Sequence, residues 1–214
     1  MLDRDRQQRT SAGFNRRDFL KGSGVAVAAT AMATAAIEEQ AVADVKPNVV
    51  PAKPTEVVLN VNGKEHRVMI EPRTSLLHCL RDDLNLTGAK DVEDGSAIGA
   101  DTVLIDGKAV HSGSVLAMSC IGQKIETIES LKNGDQIDDV IAGFVKHDGL
   151  QCGYCTPGFV MATRAALNKK PNATVDELKH MLGGNICRCG TYQGILQCAL
   201  EIAKKGEVAT KGGA

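Results

Sequence analysis

An α+β chain is predicted, with a strand-rich N-terminal half and an all-helical C-terminal half. Three observations carry this. Between residues 55 and 131, apolar residues alternate with a period of two around Asn-Gly and Asp-Gly pairs. From residue 135 the apolar period lengthens to that of a helix. Ahead of both stands a basic leader followed by an alanine-rich run.

The leader accounts for much of the 214-residue length. Arg16 and Arg17 in NRRDFLK precede GSGVAVAATAMATAA, and Ala41-Val42-Ala43 offers a small-residue cleavage site. A basic segment, a short apolar segment and an A-x-A site make an export signal rather than a membrane span. The paired arginines point to the twin-arginine route, and so to the periplasm. Residues 1–43 are read as the signal and 44–54, with Pro47, Pro51 and Pro54, as an extended linker. Twin-arginine machinery carries folded cargo, often with a cofactor inserted. The cysteines therefore need not be disulfides even in an oxidising compartment. A net charge of −1 argues against a nucleic-acid or anionic-membrane surface as the main partner.

The strand-rich half opens with Val57, Leu59 and Val61, then an Asn62-Gly63 turn, then Val68 and Ile70. Asn-Gly tolerates the positive φ of a type I′ turn, so this is a hairpin. In TSLLHCLRDDLN, Ser75 is the N-cap of a helix carrying Leu76, Leu77, Leu80 and Leu84 on one face. A glycine-rich loop follows, then the hairpin TVLIDGKAV turned at Asp106-Gly107, and VLAMSCIGQKIETIESL supplies further short strands. Two hairpins, a helix and a long loop make a small α+β domain over 55–131.

The helical domain spans 132–205, with a tail at 206–214. Its first helix carries the stripe Ile137, Val140, Ile141, Phe144 and Val145, and His147-Asp148-Gly149 stops it. Thr156 and Pro157 stand at the N-cap and first-helical positions of the second. Thr174 and Glu177 form a capping box for the third, which Gly183-Gly184 ends. A fourth carries Ile195, Ala199 and Ile202 on one face.

The chemistry lies between these helices. Cys152 and Cys155 stand just before the second helix and Cys187 and Cys189 just before the fourth. Thiolates at helix N-termini meet free N–H groups and the positive dipole end, as an anionic metal site requires. Four cysteines suit zinc or an iron–sulfur cluster. The C-x-C spacing is tight for tetrahedral zinc and acceptable for the wider ligand spread of a two-iron cluster. Two disulfides are the bland alternative, weakened by the strain of a C-x-C bridge. Cys79, Cys120 and Cys198 read as buried small hydrophobes, Cys120 in a strand-like run. The five histidines follow no ligand spacing, and neither G-x-G-x-x-G nor a P-loop occurs, so no flavin or nucleotide site is expected in this chain.

HDGLQCGYCTPGFVMA followed by GGNICRCGTY resembles, nearly residue for residue, the iron–sulfur small subunits of the xanthine oxidase (molybdenum hydroxylase) family. With the exported leader, the likeness is to periplasmic aldehyde oxidoreductase small subunits, and it covers about 55–205. It implies an N-terminal β-grasp domain like a plant ferredoxin, followed by a four-helix domain holding one [2Fe-2S] cluster on Cys152, Cys155, Cys187 and Cys189. It further implies that Gln151 and Cys189 approach a molybdopterin held by a large partner subunit.

Family members carry a second cluster in the ferredoxin-like loop, approximately GxKxGCxxGxCGACTVLxDG, with a fourth cysteine after the next hairpin. Here GAKDVEDGSAIGADTVLIDG aligns without a gap, and the four ligand positions hold Glu93, Ile98, Asp101 and Gly113. Ile98 and Gly113 offer no side-chain ligand, so the loop is expected to be without a cluster and its acidic groups to be solvated. A calcium loop fits poorly, since DVEDGSAIGAD has its glycine one place early for an EF-hand and lacks the terminal glutamate.

The resulting expectation is an electron-transfer subunit of an exported molybdenum-cofactor aldehyde or N-heterocycle oxidoreductase. Its partner would hydroxylate the substrate, and a c-type cytochrome or a flavin subunit would be the acceptor. The rival is a structural or docking subunit whose four-cysteine site holds zinc or is bypassed. The intact Gln151 and Cys189 favour the redox reading, and the loop stripped of its cysteines favours the rival.

Overall fold

The computed structural model describes residues 52–92 and 98–211, with side chains to residue 205. The signal at 1–43 with Arg16 and Arg17, most of the linker, and Glu93 lie outside the described residues.

β1 (Thr55–Val61) and β2 (Lys64–Ile70) pair antiparallel, Thr55 opposite Ile70 and Val61 opposite Lys64. Asn62 and Gly63 turn the hairpin at φ 53° and 75°, the two left-handed positions a type I′ turn needs. β3 (Thr102–Ile105) and β4 (Lys108–His111) turn in the same way at Asp106-Gly107. With β5 (Lys124–Glu126) they form one sheet of order β2-β1-β5-β3-β4, in which only β1 and β5 run parallel. This mixed sheet packs on α1 (Leu76–His78, continued over Cys79–Asp83), which is the β-grasp arrangement.

In α1, Ser75 caps the helix, its Oγ accepting the His78 N–H at 3.2 Å. The helix is α-helical only over Leu76–His78 and widens to a π-helix over Cys79–Asp83, where the Leu84 N–H reaches back to Cys79 O at 3.1 Å. The run expected as several short strands contributes only β5. Ala117–Cys120 and Ile128–Leu131 are 3₁₀ turns, so Cys120 lies in a turn and not in a strand. The backbone there is tied to the start of α1 instead of the sheet: Leu76 donates to Val115 O and Ala117 to Thr74 O, at 2.7 and 3.0 Å.

Val57, Leu59 and Val61 of β1, Leu76 and Leu80 of α1, and Ile125 of β5 share one core, as the alternation predicted. β3 is buried on both faces. Val103 and Ile105 join that core, while Leu104 packs on Met161 and Ala165 of the helical half.

A two-residue ribbon, β6 (Lys132–Asn133) with β7 (Gln136–Ile137), precedes the helices. Then come α2 (Asp139–Lys146), α3 (Thr156–Lys169), α4 (Val175–Met181) and α5 (Tyr192–Lys211). Ile137, expected on the α2 stripe, sits in the ribbon and is exposed; Val145 is exposed as well, leaving Val140, Ile141 and Phe144 facing inward. α3 starts one residue earlier than expected, with Cys155 at the N-cap position, and α5 runs through much of the expected tail. Phe144 and Phe159 anchor the helical core, each worth about 1.5–3 kcal/mol by burial alone. Arg164 of α3 binds both Asp138 and Asp139, fixing the α2 start where Asp138 caps Val140 N–H at 2.9 Å. Among the described residues no helix is long and apolar enough to cross a membrane.

The acidic groups of the glycine-rich loop are not all solvated. Asp101 is fully buried, and its Oδ2 accepts the Gly113 N–H at 2.7 Å. A hydrogen bond thus joins two of the positions where the resemblance places cluster ligands, and that bond draws the carboxylate inward.

Two carboxylates tie the helices in a pH-dependent way. Glu177 completes the α4 capping box, and Lys170, the Thr174 N–H and the Thr174 hydroxyl hold its pKa down to about 2. Glu201 of α5 is held down to about 2 by Lys146, Lys205 and His147. A carboxyl depressed in the folded state stabilises it fully above the unfolded value near 4.5, and this is lost as pH falls toward 2. The stability gap between wild type and a Glu177→Gln, Glu201→Gln double variant should therefore close between pH 4.5 and 2, as measured by denaturant titration. A gap unchanged over that window would contradict the assignment.

Candidate metal centre

Two short segments bring the predicted cysteines together. Residues 147–155 link α2 to α3, and residues 182–191 link α4 to α5. The first turns back at Asp148 (φ 52°), with Gly149 N–H bonded to Phe144 O at 2.8 Å. The second is held by Tyr192, whose hydroxyl accepts the Cys187 N–H at 2.8 Å and whose ring meets Phe159 of α3 edge-on at 6.0 Å. Thr191 Oγ1 lies 3.3 Å from Cys187 Sγ and donates to Gly149 O at 3.2 Å, joining the two segments beside the sulfurs. No spacing rule pointed to Tyr192 or Thr191; a hydroxyl shortly after a ligand segment is too common a pattern to single out.

The four thiols form two pairs. Cys155 and Cys187 interact side chain to side chain and are both buried. Cys152 and Cys189 likewise interact, and both are exposed, as is Gln151. Among the described residues no three Cys, His, Asp or Glu side chains converge where one metal ion could sit. All seven cysteines are free thiols.

The electrostatics match an anionic sulfur site. Burial first, then the Cys187 thiol and the charge of Cys152, pushes Cys155 up to about 12. Burial also opposes the Cys187 thiolate, but the Thr191 hydroxyl, the N–H groups of Thr191 and Gly190, and the Cys155 thiol outweigh it and bring Cys187 down to about 7. Cys189 accepts the Cys152 N–H, which favours its thiolate, yet the Cys152 thiol and burial prevail and raise it. Nearby backbone N–H groups thus favour negative charge on Cys187, as in a thiolate-ligated cluster whose potential is set by hydrogen bonds to sulfur. Two thiol pairs fit a two-iron group better than zinc, which draws four sulfurs to about 2.3 Å from one ion.

The remaining cysteines are packing residues. Cys79, Cys120 and Cys198 are fully buried. Burial raises all three, Cys79 to about 12 and Cys198 to about 11, which keeps the thiols protonated and inert.

Residues 127–200 match the family model described as a [2Fe-2S] binding domain, and residues 13–33 match that of the twin-arginine translocation pathway signal sequence. The chain is 38% identical over 211 residues to the aldehyde oxidoreductase iron-sulfur-binding subunit PaoA of Escherichia coli O157:H7, covering 91% of this chain and 90% of that one. It is 37% identical over 163 residues to the nicotine 6-hydroxylase small subunit of Paenarthrobacter nicotinovorans, covering 76% and 97%. A chain of quinoline 2-oxidoreductase from Pseudomonas putida 86 superposes with a TM-score of 0.69 at 33% identity, over 76% of this chain and 99% of that one. The aldehyde oxidoreductase of Desulfovibrio desulfuricans ATCC 27774 superposes with a TM-score of 0.66 at 28% identity, over 70% of this chain and 17% of that longer one.

The chain belongs to the iron–sulfur small subunits of the molybdenum hydroxylase family. It is an electron-transfer subunit of an oxidoreductase complex, carries a [2Fe-2S] binding domain, and is exported by the twin-arginine pathway.

Proposed function

We propose that this subunit carries a single [2Fe-2S] cluster, held by Cys152, Cys155, Cys187 and Cys189, in a complex that oxidises an aldehyde or an N-heterocycle. The observation that carries the reading is the division of the four thiols into an exposed pair and a buried pair. When bound, the cluster supplies a one-electron relay. The exposed pair, Cys152 and Cys189, faces outward with Gln151, so these residues meet the molybdopterin of the large partner subunit. The buried pair, Cys155 and Cys187, keeps the inner side of the site dry, and the N–H groups of Gly190 and Thr191 stabilise negative charge on sulfur there.

The β-grasp loop holds Ile98 and Asp101, and the turn after β4 holds Gly113, where relatives would carry cysteines, and a hydrogen bond joins Asp101 to Gly113. Electrons therefore leave from the helical-half centre, and a c-type cytochrome in the same compartment is the acceptor whose chemistry fits, ahead of a flavin subunit. The substrate class rests on the aldehyde, nicotine and quinoline enzymes that the chain resembles.

Iron and sulfide analysis of the purified complex tests this. About two irons and two sulfides should be assigned to this subunit, with one [2Fe-2S] signal in electron paramagnetic resonance. About four irons and two distinct signals would overturn the single-cluster reading, and zinc in place of iron would select a docking subunit.

A further inference from the structure

The loop between α1 and β3 reaches across to both cysteine-bearing segments. Ile98 O accepts the Ile186 N–H at 2.9 Å. Gly99 O accepts Asn185 Nδ2 at 2.9 Å, and the same amide group donates to Thr102 Oγ1 at 3.1 Å. The Thr102 hydroxyl in turn donates to Gly99 O at 2.7 Å. Asn185 is buried, and Asn185 and Ile186 are the two residues that lead into Cys187. On the other segment Tyr154, the neighbour of Cys155, donates its hydroxyl to Asp91 O. The first turn of α3 also starts hard against the loop, since a Cβ on Gly158 would stand 2.0 Å from Gly99 O.

The loop is itself pinned at both ends. Arg81 of α1 donates to Thr87 O and Ala89 O at 3.0 and 2.7 Å. At the far end the buried Asp101 carboxylate accepts the Gly113 N–H, and Ser112 Oγ donates to Asp101 O at 2.8 Å. The described residues on either side of 93–97 thus touch the residues adjacent to Cys155 and Cys187, and so can fix the spacing of sulfurs they do not themselves provide.

We propose that residues 98–102 of this loop, which lack cysteine ligands, serve as a clamp that positions the ligand segments of the helical-half centre. Asn185 and Asp101 are its positioning residues: Asn185 joins the loop to the Cys187 segment, and Asp101 joins the loop to the turn that follows β4. The proposal rests on the reading that Cys152, Cys155, Cys187 and Cys189 hold the cluster. Partners one shell out from a metal orient its ligands, and their loss typically costs about 10–100-fold in metal affinity.

The test uses the assembled complex with Asn185→Ala, Asp101→Ala and the conservative Asp101→Asn, which keeps an oxygen to accept the Gly113 N–H. Thr102→Val, which removes one hydroxyl at nearly constant volume, serves if the alanine variants fail to fold. Three readouts apply: the g-values of the reduced cluster, its midpoint potential, and the rate of iron release to a chelator. Asn185→Ala, Asp101→Ala and Thr102→Val should shift the g-values and the potential and release iron about tenfold faster, with Asp101→Asn returning toward wild type. Wild-type g-values, potential and release rate in these variants, even with lowered melting temperature, would reduce the loop to interdomain packing and overturn the clamp alone. A wild-type complex whose subunit holds no iron, or a Cys155→Ala variant that keeps the full signal, would instead remove the ligand reading on which the clamp stands.

Discussion

Replacing Cys155 with alanine should empty the helical-half centre while leaving the β-grasp half folded. Cys155 stands at the N-cap position of α3, is 9% exposed, and interacts with Cys187 and Cys152. Removing it takes away one member of the buried pair, and no other described cysteine is free to substitute: Cys198 bonds Val140 O at 3.6 Å across the α2–α5 contact, and Cys79 and Cys120 lie in the β-grasp core. Iron in this subunit should fall from about two per chain to near zero. Substrate should still reduce the partner's molybdenum centre in a single turnover. Transfer onward to a large acceptor should drop by more than about 100-fold, beyond the range seen when only an outer-shell partner is lost. The β-grasp half has its own core around Leu59, Leu76, Leu80 and Ile125, so its amide protection from hydrogen exchange should persist. Full iron with unchanged onward transfer in this variant would end the assignment of Cys155 as a ligand.

The elements fixed by local chemistry were legible in the sequence. Asn62-Gly63 and Asp106-Gly107 dictate positive φ at both central residues, and both turns are where that chemistry places them. Ser75, Asp138 and the Thr174–Glu177 box announce helix starts through side-chain oxygens that bond nearby N–H groups. The cysteine spacing singled out the two segments that the fold brings together, because only a few chemistries use C-x-x-C with C-x-C. Features set by long-range contacts were not legible. The parallel pairing of β1 with β5 joins Asn60 to Lys124, and no local pattern encodes it. The strand expected at Cys120 is lost to bonds with Thr74 and Leu76 at the start of α1, far away in sequence. Asp101 reads as a solvated loop acid until Gly113 is brought beneath it. Thr191 and Asn185 tie the cysteine segments down through bonds to Gly149, Gly99 and Thr102, and nothing in their neighbours' identities signals those bonds.

Gly194→Ala should loosen the same centre from its far side, without touching a ligand. Gly194 is buried in the first turn of α5, and a Cβ there would stand 2.1 Å from His147 O and 2.8 Å from the Asp148 carbonyl carbon. Both are backbone atoms, so no side chain can rotate away. The turn itself cannot easily retreat: Gly149 N–H is bonded to Phe144 O, and His147 is tied to Glu201 of α5 at 2.6 Å. Helix propensity alone favours alanine by up to about 1 kcal/mol. Overpacking against fixed neighbours costs about 1–3 kcal/mol or more, so the clash decides the sign. The added methyl should push α5 off the 147–149 turn and stretch the Thr191 bond to Gly149 O, a link that holds Cys187 toward the segment bearing Cys152 and Cys155. Denaturant titration should show a net loss of about 1–2 kcal/mol, and iron content should fall with it although all four cysteines remain. A variant with raised stability and full iron would mean that helix propensity governs Gly194 and that the close approach of α5 to the turn does not set the spacing of the sulfurs.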